Sequence, residues 1–291
     1  MPFLPSGQLE AVEASQPSDI VGIIRFSMLL KESNYFPKML KETYEERKTK
    51  IFDDERLRIR FEVFEDICLP CLTAQTDQNF NVILVTSQEM PAWALERLEK
   101  LLENIPNVYA RAFRPKASIK RVIKRAGFEM LDQTTDVVGT FQLDDDDAVG
   151  CDYIERLRGY MRPENIGKVV TFTNGFELLL ASELPMLKVD DAPKASAGLA
   201  SIEAGRIIDV SKIKTIYSYG GHRKVDQVAE VIVDHGDAMF LQTANGMNVS
   251  ERLGGEDAKA LPTNEMAAIL QTKYPYISAE KIERLHKSLR C

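Results

Sequence analysis

The chain has 291 residues, 44% of them hydrophobic, which is enough to bury a full core in one large domain. Its 37 Lys and Arg residues against 44 Asp and Glu residues leave a net charge of −7, which argues against a protein that binds nucleic acid by neutralising phosphates. Four Cys residues are too few for a disulfide framework and fit a reducing compartment.

The first 18 residues are expected to form a loose tail. They contain no basic start and no apolar run of signal-peptide length. Further along, the longest apolar stretches, such as residues 21–24 and 178–181, are far shorter than the roughly 20 residues that cross a bilayer. We therefore expect a cytoplasmic protein without a transmembrane segment, with peripheral membrane contact left open.

The first half of the chain alternates between strand and helix patterns. Short apolar runs rich in β-branched residues are typical of buried strands. The predicted strands lie at residues 20–26, 80–86, 107–113 and 137–143. Apolar side chains three and four positions apart predict helices at residues 54–74, interrupted at Pro70, and at 91–106, 118–128 and 152–161. This alternation predicts a parallel sheet covered by helices.

The second half is less regular. Strand-like segments lie at residues 168–173, 176–181 and 206–219, and residues 190–205 form a loose stretch rich in Ala, Ser and Gly. Long loops in a compact domain are often functional. Two helices are predicted at residues 263–272 and 278–289. We divide the chain into a disordered tail (1–18), one domain (19–255) and a C-terminal helical extension (256–291).

Four consecutive carboxylates, Asp144 to Asp147, directly follow the predicted strand 137–143. In open α/β sheets, ligands bind at the carboxyl ends of strands. Adjacent carboxylates repel one another, and their hard oxygen atoms suit Mg²⁺, Mn²⁺ or Ca²⁺. A run of Asp is often only a solvated loop, but its position after a buried strand favours a divalent cation site.

The acidic turn belongs to an ordered set of segments that extends over residues 20–250. The others are residues 23–27 (IIRFS), 68–76 (CLPCLTAQT), 79–80 (NF), 222–224 (HRK), 240–242 (FLQ) and 245–250 (NGMNVS). Taken together, the set resembles the glycosyltransferases of the GT-A fold, and more narrowly the bacterial rhamnosyl transferase family. The resemblance implies a GT-A-like mixed sheet flanked by helices, with residues 19–255 as the glycosyltransferase domain.

The resemblance also implies an activity: transfer of a sugar, such as rhamnose or another deoxyhexose, from a nucleoside diphosphate sugar to a glycan or lipid-linked acceptor. Mn²⁺ or Mg²⁺ would offset the charge of the departing diphosphate. In the family's Asp-x-Asp pattern, Asp144 would meet the ribose or a metal-bound water, and Asp146 would bind the metal. Asp145 and Asp147 would take these roles if the register is shifted by one residue. Arg25, after the first strand, would contact the nucleotide.

The same resemblance implies one more metal ligand or diphosphate contact late in the chain, commonly a His. The candidates in this sequence are His222, which matches a family His, and His235. Asn245 stands where family members carry a His, and its carbonyl oxygen is a third candidate. A surface His without a ligand is the more common role for residues of this kind.

The identity of a catalytic base is left open by the sequence. An inverting transferase needs a carboxylate that accepts the proton of the acceptor hydroxyl, whereas a retaining one need not use that arrangement. Asp234, Asp237 and Glu203 are the candidates.

Two further features have an ordinary structural interpretation. Cys68 and Cys71 have the spacing of a redox pair, but they lie on the inner face of a predicted helix and are expected to pack in the core. The basic residues between positions 111 and 125 form the clearest positive cluster in the chain. They are expected to form a solvated helix face, with contact to the diphosphate, the acceptor or an anionic membrane as alternatives.

Two other functions fit parts of the sequence pattern but not all of it. A nucleotidyltransferase also uses paired Asp residues and a divalent metal, but it normally needs a glycine-rich and basic loop after its first strand. Here residues 25–29 read RFSML, without glycine. A non-catalytic divalent-cation-binding module would carry further acidic loops at regular spacing, and the sequence contains none. Glycosyl transfer is therefore the preferred prediction.

Overall fold

The computed structural model describes residues 17–29, 42–114, 118–207, 209–246 and 259–290. Residues 1–16 of the predicted tail (1–18) and the predicted boundary between residues 255 and 256 lie outside the described residues. Ser18, the last residue of that tail, is instead buried and forms a β-bridge with Leu131. Within the described ranges, no helix is both long enough and apolar enough to cross a lipid bilayer.

The described ranges contain twelve strands and eight α-helices. The strands are β1 (Ile20–Arg25), β2 (Asn81–Ser87), β3 (Val108–Phe113), β4 (Val137–Asp144), β5 (Ala148–Val149), β6 (Val169–Phe172), β7 (Asn174–Leu179), β8 (Met186–Asp191), β9 (Ala200–Ala204), β10 (Val231–Asp234), β11 (Phe240–Ala244) and β12 (Lys259–Ala260). The helices are α1 (Tyr44–Ile51), α2 (Asp54–Val63), α3 (Leu69–Thr73), α4 (Ala92–Leu102), α5 (Ile119–Met130), α6 (Tyr153–Tyr160), α7 (Thr263–Leu270) and α8 (Ala279–Ser288).

The strands form two sheets. The larger has seven strands in the order β10-β6-β9-β4-β1-β2-β3, and the smaller has five in the order β12-β8-β7-β11-β5. In the larger sheet β1 is parallel to β2 and β4, while β9 is antiparallel to both β4 and β6. The predicted mixed sheet flanked by helices is therefore confirmed.

The larger sheet is covered by helices on both faces. Successive side chains of each strand point to opposite sides, so β1, β2 and β4 each contribute to two core clusters. Ile20 and Ile24 of β1 pack in the core cluster that includes α2 and α4, whereas Val21 and Ile23 pack in the cluster that includes α5. Gly22 lies between them, and a Cβ atom there would stand 2.4 Å from the Phe141 ring. The central strands thus pass through a closely packed interior to a polar carboxyl edge.

Two sequence predictions for the second half were wrong. Residues 200–204, placed in a loose stretch, form the central strand β9, because pairing with β4 and β6 on both sides outweighs the weak strand preference of ASIEA. Residues 206–219, predicted as a strand, instead contain the 3₁₀ helices Val210–Lys212 and Ile216–Tyr219. Ile213, which lies between these helices, and Ile216 pack in the α5 core cluster, which explains the apolar pattern without a strand.

The predicted interruption at Pro70 is also absent. A π-helical turn over Phe64–Cys68 joins α2 to α3, and Pro70 lies in the first turn of α3 without ending the helical stretch. This continuous helical stretch carries α2 past the carboxyl edge of β4, where the acidic turn begins.

Candidate active site

The acidic turn lies where the chain passes from the larger sheet to the smaller one. Asp144 ends β4, and the backbone N–H of Asp147 donates to the Asp144 carbonyl over 3.1 Å to close a tight turn. Ala148 and Val149 then form β5, which pairs with β11 of the smaller sheet. The turn is therefore anchored to both sheets.

Asp144 is the most accessible carboxylate of the turn. Arg25 is its direct neighbour across the β1–β4 pair, and the Arg25 Nη2 atom lies 3.0 Å from Asp144 Oδ1. The Asp144 side chain is 36% exposed. The structure thus brings these two predicted nucleotide-contacting residues together at the carboxyl edge of the sheet.

Asp145 is fully buried and forms a two-pronged ion pair with Arg60 of α2. Burial raises the pKa of Asp145, and the positive charge of Arg60 opposes that shift. The sequence interpretation missed Arg60. Its signal was its position beside the apolar face formed by Leu57 and Phe61, where a charged residue needs a buried partner.

Asp146 is held by two residues at the end of β11. Asn245 donates from its amide nitrogen to Asp146 Oδ2 over 3.0 Å, and the Thr243 hydroxyl donates to the Asp146 carbonyl over 2.7 Å. Burial raises the pKa of Asp146 to about 6, and the neighbouring carboxylates add to the shift. The structure thus brings the predicted ligand candidate Asn245 to the acidic turn, where its amide fits a role in orienting Asp146.

Asp147 points towards β11. Its Oδ1 atom accepts from the Thr243 backbone N–H over 3.0 Å, and its Oδ2 atom accepts from the Gln242 amide over 3.3 Å. These contacts connect the turn to the smaller sheet. Asp144 and Asp146 are thereby left as the pair with the Asp-x-Asp spacing.

Cys68 packs beneath the turn. Its thiol donates to the Asp144 carbonyl over 3.7 Å, and burial raises the pKa of this thiol. Cys71 is also buried. Both placements fit the predicted packing role.

Asp234 and His235 lie at the end of β10, which is separated from β4 by β6 and β9. At about 4.8 Å per strand, this separation is about 14 Å. Asp234 accepts two hydrogen bonds from Arg156 and one from Tyr160. Burial opposes its charge, but these contacts hold the pKa of Asp234 below its ordinary value. The exposed His235 has its Nδ1 atom 3.2 Å from the Thr173 hydroxyl.

The other candidates are spread over the molecule. Asp237 is 76% exposed and lies 3.5 Å from the Lys273 ammonium. Glu203 pairs with Val138, six residues before Asp144, so it lies about 20 Å from the turn along the sheet. It accepts a hydrogen bond from the Tyr219 hydroxyl over 2.7 Å. His222 begins the 3₁₀ helix His222–Gln227. The structure thus brings neither Asp237 nor Glu203 into a contact with the acidic turn.

The donor atoms of the turn fit a divalent cation that also binds a ligand phosphate. In the part of the chain that the structure describes, no three His, Cys, Asp or Glu side chains form a metal cage. Mg²⁺ commonly binds one or two protein carboxylates and takes its other oxygen atoms from substrate phosphates and water. Asp144 and Asp146 supply carboxylates of this kind at alternate positions of the turn.

Comparison with known proteins gives a family match and remote structural likenesses. A sequence profile of the family described as "Putative rhamnosyl transferase" matches residues 19–257. A search of curated proteins finds no match.

Two solved structures illustrate the structural likeness. TarS 1–349 of S. aureus in complex with UDP shares 10% identity over 93% of this chain and 70% of that one, with a TM-score of 0.42. The mannosyltransferase PcManGT from Pyrobaculum calidifontis, in complex with GDP-Man and Mn²⁺, shares 9% identity over 96% of this chain and 74% of that one, also with a TM-score of 0.42. Likenesses this remote carry no argument about substrate or mechanism.

Proposed function

Because the chain belongs to the "Putative rhamnosyl transferase" family and is a glycosyltransferase, we propose that its acidic turn binds the diphosphate of a nucleoside diphosphate sugar through Mn²⁺ or Mg²⁺. One observation carries this proposal. Asp144 and Asp146 occupy alternate positions at the carboxyl edge of a central strand, while Asp145 and Asp147 are bound by Arg60 and β11.

The proposed reaction separates charge at the diphosphate. The bond between the anomeric carbon and the diphosphate oxygen breaks, a bond to the acceptor oxygen forms, and the acceptor hydroxyl loses its proton. A cation bound by Asp144 and Asp146 would stabilise the additional negative charge of the departing diphosphate. Arg25, which already pairs with Asp144, would hold the nucleotide beside the turn, and Asn245 would orient Asp146.

The finer substrate assignment follows the family. Rhamnose or another deoxyhexose is the proposed donor sugar, and a glycan or lipid-linked sugar is the proposed acceptor. Among the three base candidates, Asp237 is preferred because it is exposed and follows β10 at the same sheet edge as the acidic turn. Asp234 is instead held in an ion pair with Arg156, and Glu203 lies at the opposite end of the sheet.

A membrane contact is proposed for one helix face. Lys120 and Arg121 of α5 are exposed, and Lys212 and Lys214 are exposed on the adjacent segment, whose Ser211 carbonyl lies 3.5 Å from Lys124 Nζ. Such a surface suits an anionic lipid headgroup layer near a lipid-linked acceptor. We refer to these five basic residues as the α5 surface.

Thermal unfolding with UDP, GDP and dTDP, each with and without Mn²⁺, tests the donor site. At least one diphosphate is expected to raise the Tm, and the rise should be larger with the metal. Asp146→Ala should remove the metal-dependent part of the shift. Asp136→Ala is the matched control, because it removes an exposed carboxylate that immediately precedes the first residue of β4. This variant should keep the metal-dependent part of the Tm shift. A wild-type protein that none of these diphosphates stabilises contradicts the proposal.

A further inference from the structure

Helix α2 brings two arginine residues to the acidic turn. Arg56 and Arg60 are four residues apart, so they lie on the same face of the helix. Arg60 is paired with the buried Asp145. The Arg60 guanidinium group is therefore neutralised by a carboxylate of the protein, whereas within the described ranges the Arg56 guanidinium group has no such ion pair.

Arg56 is half-buried, and among the described residues its guanidinium group has no carboxylate contact, although its backbone N–H donates to the Asp53 carboxylate at the start of α2. Its Nη1 atom donates to the Ile51 carbonyl over 2.9 Å, and within the described ranges it forms no ion pair. Burial and the charge of Arg60 disfavour the Arg56 charge, whereas Asp145, Asp146 and Asp53 attract it without direct contact with the guanidinium. A guanidinium group has five N–H donors, and placing such a charge in a partly desolvated position with no anion in direct contact is unfavourable.

These contacts indicate a place for an external anion. We propose that Arg56 binds a phosphate oxygen of the donor diphosphate beside the acidic turn, and this inference rests on the proposed function above. A planar guanidinium suits phosphate because two parallel N–H groups can meet two oxygen atoms. The bound diphosphate would then be shared between a cation on Asp144 and Asp146 and the guanidinium of Arg56.

A purely structural role for Arg56 makes a different prediction. Ile51 is the last residue of α1, so the hydrogen bond from Arg56 also satisfies a carbonyl at that helix end. Loss of this bond alone would weaken α1 and lower stability. It would not distinguish a diphosphate from a monophosphate.

The test measures binding of UDP, GDP and dTDP and of the three corresponding monophosphates by calorimetry with Mn²⁺. Arg56→Met is expected to weaken the best diphosphate about tenfold, the loss of one charge-assisted hydrogen bond, and to affect its monophosphate much less. Arg56→Lys keeps the charge without the planar fork and should recover part of the loss. Arg58→Met is the matched control on the same helix, because Arg58 is exposed and lies over the Trp93 ring.

The outcomes separate this inference from the proposed function. A selective loss of diphosphate affinity in Arg56→Met, absent in Arg58→Met, supports Arg56 as a phosphate contact. Unchanged diphosphate affinity, or equal losses for diphosphate and monophosphate, overturns it while leaving the donor site in place. Failure of the wild-type protein to bind any of the three diphosphates would overturn the proposed function itself.

Discussion

At the scale of single residues, the four carboxylates of the acidic turn have different environments despite their identical chemistry. Asp144 is partly exposed beside Arg25, whereas Asp145 is buried against Arg60. Asp146 and Asp147 contact different groups of β11 and the residue after it. Neighbouring side chains of the turn point to different sides. Asp145 and Asp147 are therefore bound by Arg60 and β11, whereas Asp144 and Asp146 form the proposed cation-binding pair.

The Arg60–Asp145 pair should be important for stability. Removing one partner of a buried ion pair leaves an uncompensated charge, and Arg60→Met is expected to lower the free energy of unfolding by about 3 kcal/mol. The double variant Arg60→Met with Asp145→Leu should recover most of this loss because no charge remains buried. Urea unfolding measures both effects.

An exposed ion pair provides the control for that measurement. Arg206 and Asp136 pair with side chains that are 67% and 74% exposed. Arg206→Met should therefore change the unfolding free energy by less than about 1 kcal/mol. Equal effects of Arg60→Met and Arg206→Met would show that the buried pair contributes no more than the exposed one.

Asp234 should contribute a pH-dependent part of the stability. Its folded-state pKa is lowered, so the folded protein favours the charged form more than the unfolded chain does. This contribution is present above the ordinary Asp pKa of about 4 and is lost as the pH falls through the lower folded value. The difference in unfolding free energy between wild type and Asp234→Asn should therefore shrink between pH 5 and pH 3. A constant difference over this range would argue against the Arg156 ion pair as its origin.

At the scale of secondary-structure elements, the sequence predicted the first half of the fold well. Residues such as those of β1 and β2 are β-branched and buried on both faces, so composition alone indicates a strand. Strand β9 was missed because ASIEA has little strand preference, and its neighbours β4 and β6 are distant in sequence. The acidic turn was predicted because it directly follows a buried strand, and Arg25, at the end of β1, was predicted from the family resemblance. Arg60 was not, because its partner lies 85 residues away.

The basic residues around α5 fall into two groups in the folded protein, one held in ion pairs and one exposed to solvent. Arg111 is buried and shares Glu129 with Arg125, so these two are structural. Lys120 and Arg121 remain exposed, as members of the α5 surface. The positive cluster in the sequence is thus smaller on the folded surface, and it faces away from the core side that contains α2 and α4.

The α5 surface should bind anionic vesicles. Lys and Arg residues near such a membrane contribute about 1 kcal/mol each, so Lys120→Glu with Arg121→Glu should reduce binding to phosphatidylglycerol vesicles by more than about tenfold. Co-sedimentation at low salt measures this change. Arg58→Glu with Lys100→Glu alters the net charge equally on the other face of the sheet and should have little effect. Equal losses for the two double variants would indicate a nonspecific effect of net charge.

At the scale of the whole molecule, the acidic turn joins the two sheets. The chain leaves the larger sheet at Asp144 and enters the smaller one at Ala148, and Asp147 is bonded to the backbone of β11. A ligand that holds this turn therefore restrains both sheets. The site is positioned by packing across the molecule, which explains why no single motif in the sequence defines all its contacts.

Hydrogen exchange should report this connection. Binding stabilises the folded state over locally opened ones, so Mn²⁺ with the best diphosphate is expected to slow amide exchange in Phe240–Ala244 as well as in the acidic turn. Strand β3, at the far edge of the larger sheet, should change much less. Asp147→Ala removes the acceptor of the Thr243 N–H. It should weaken the protection of β11 while the turn still responds to ligand. Equal ligand protection of β11 in Asp147→Ala and wild type would mean that another contact, such as Asn245 with Asp146, transmits the effect.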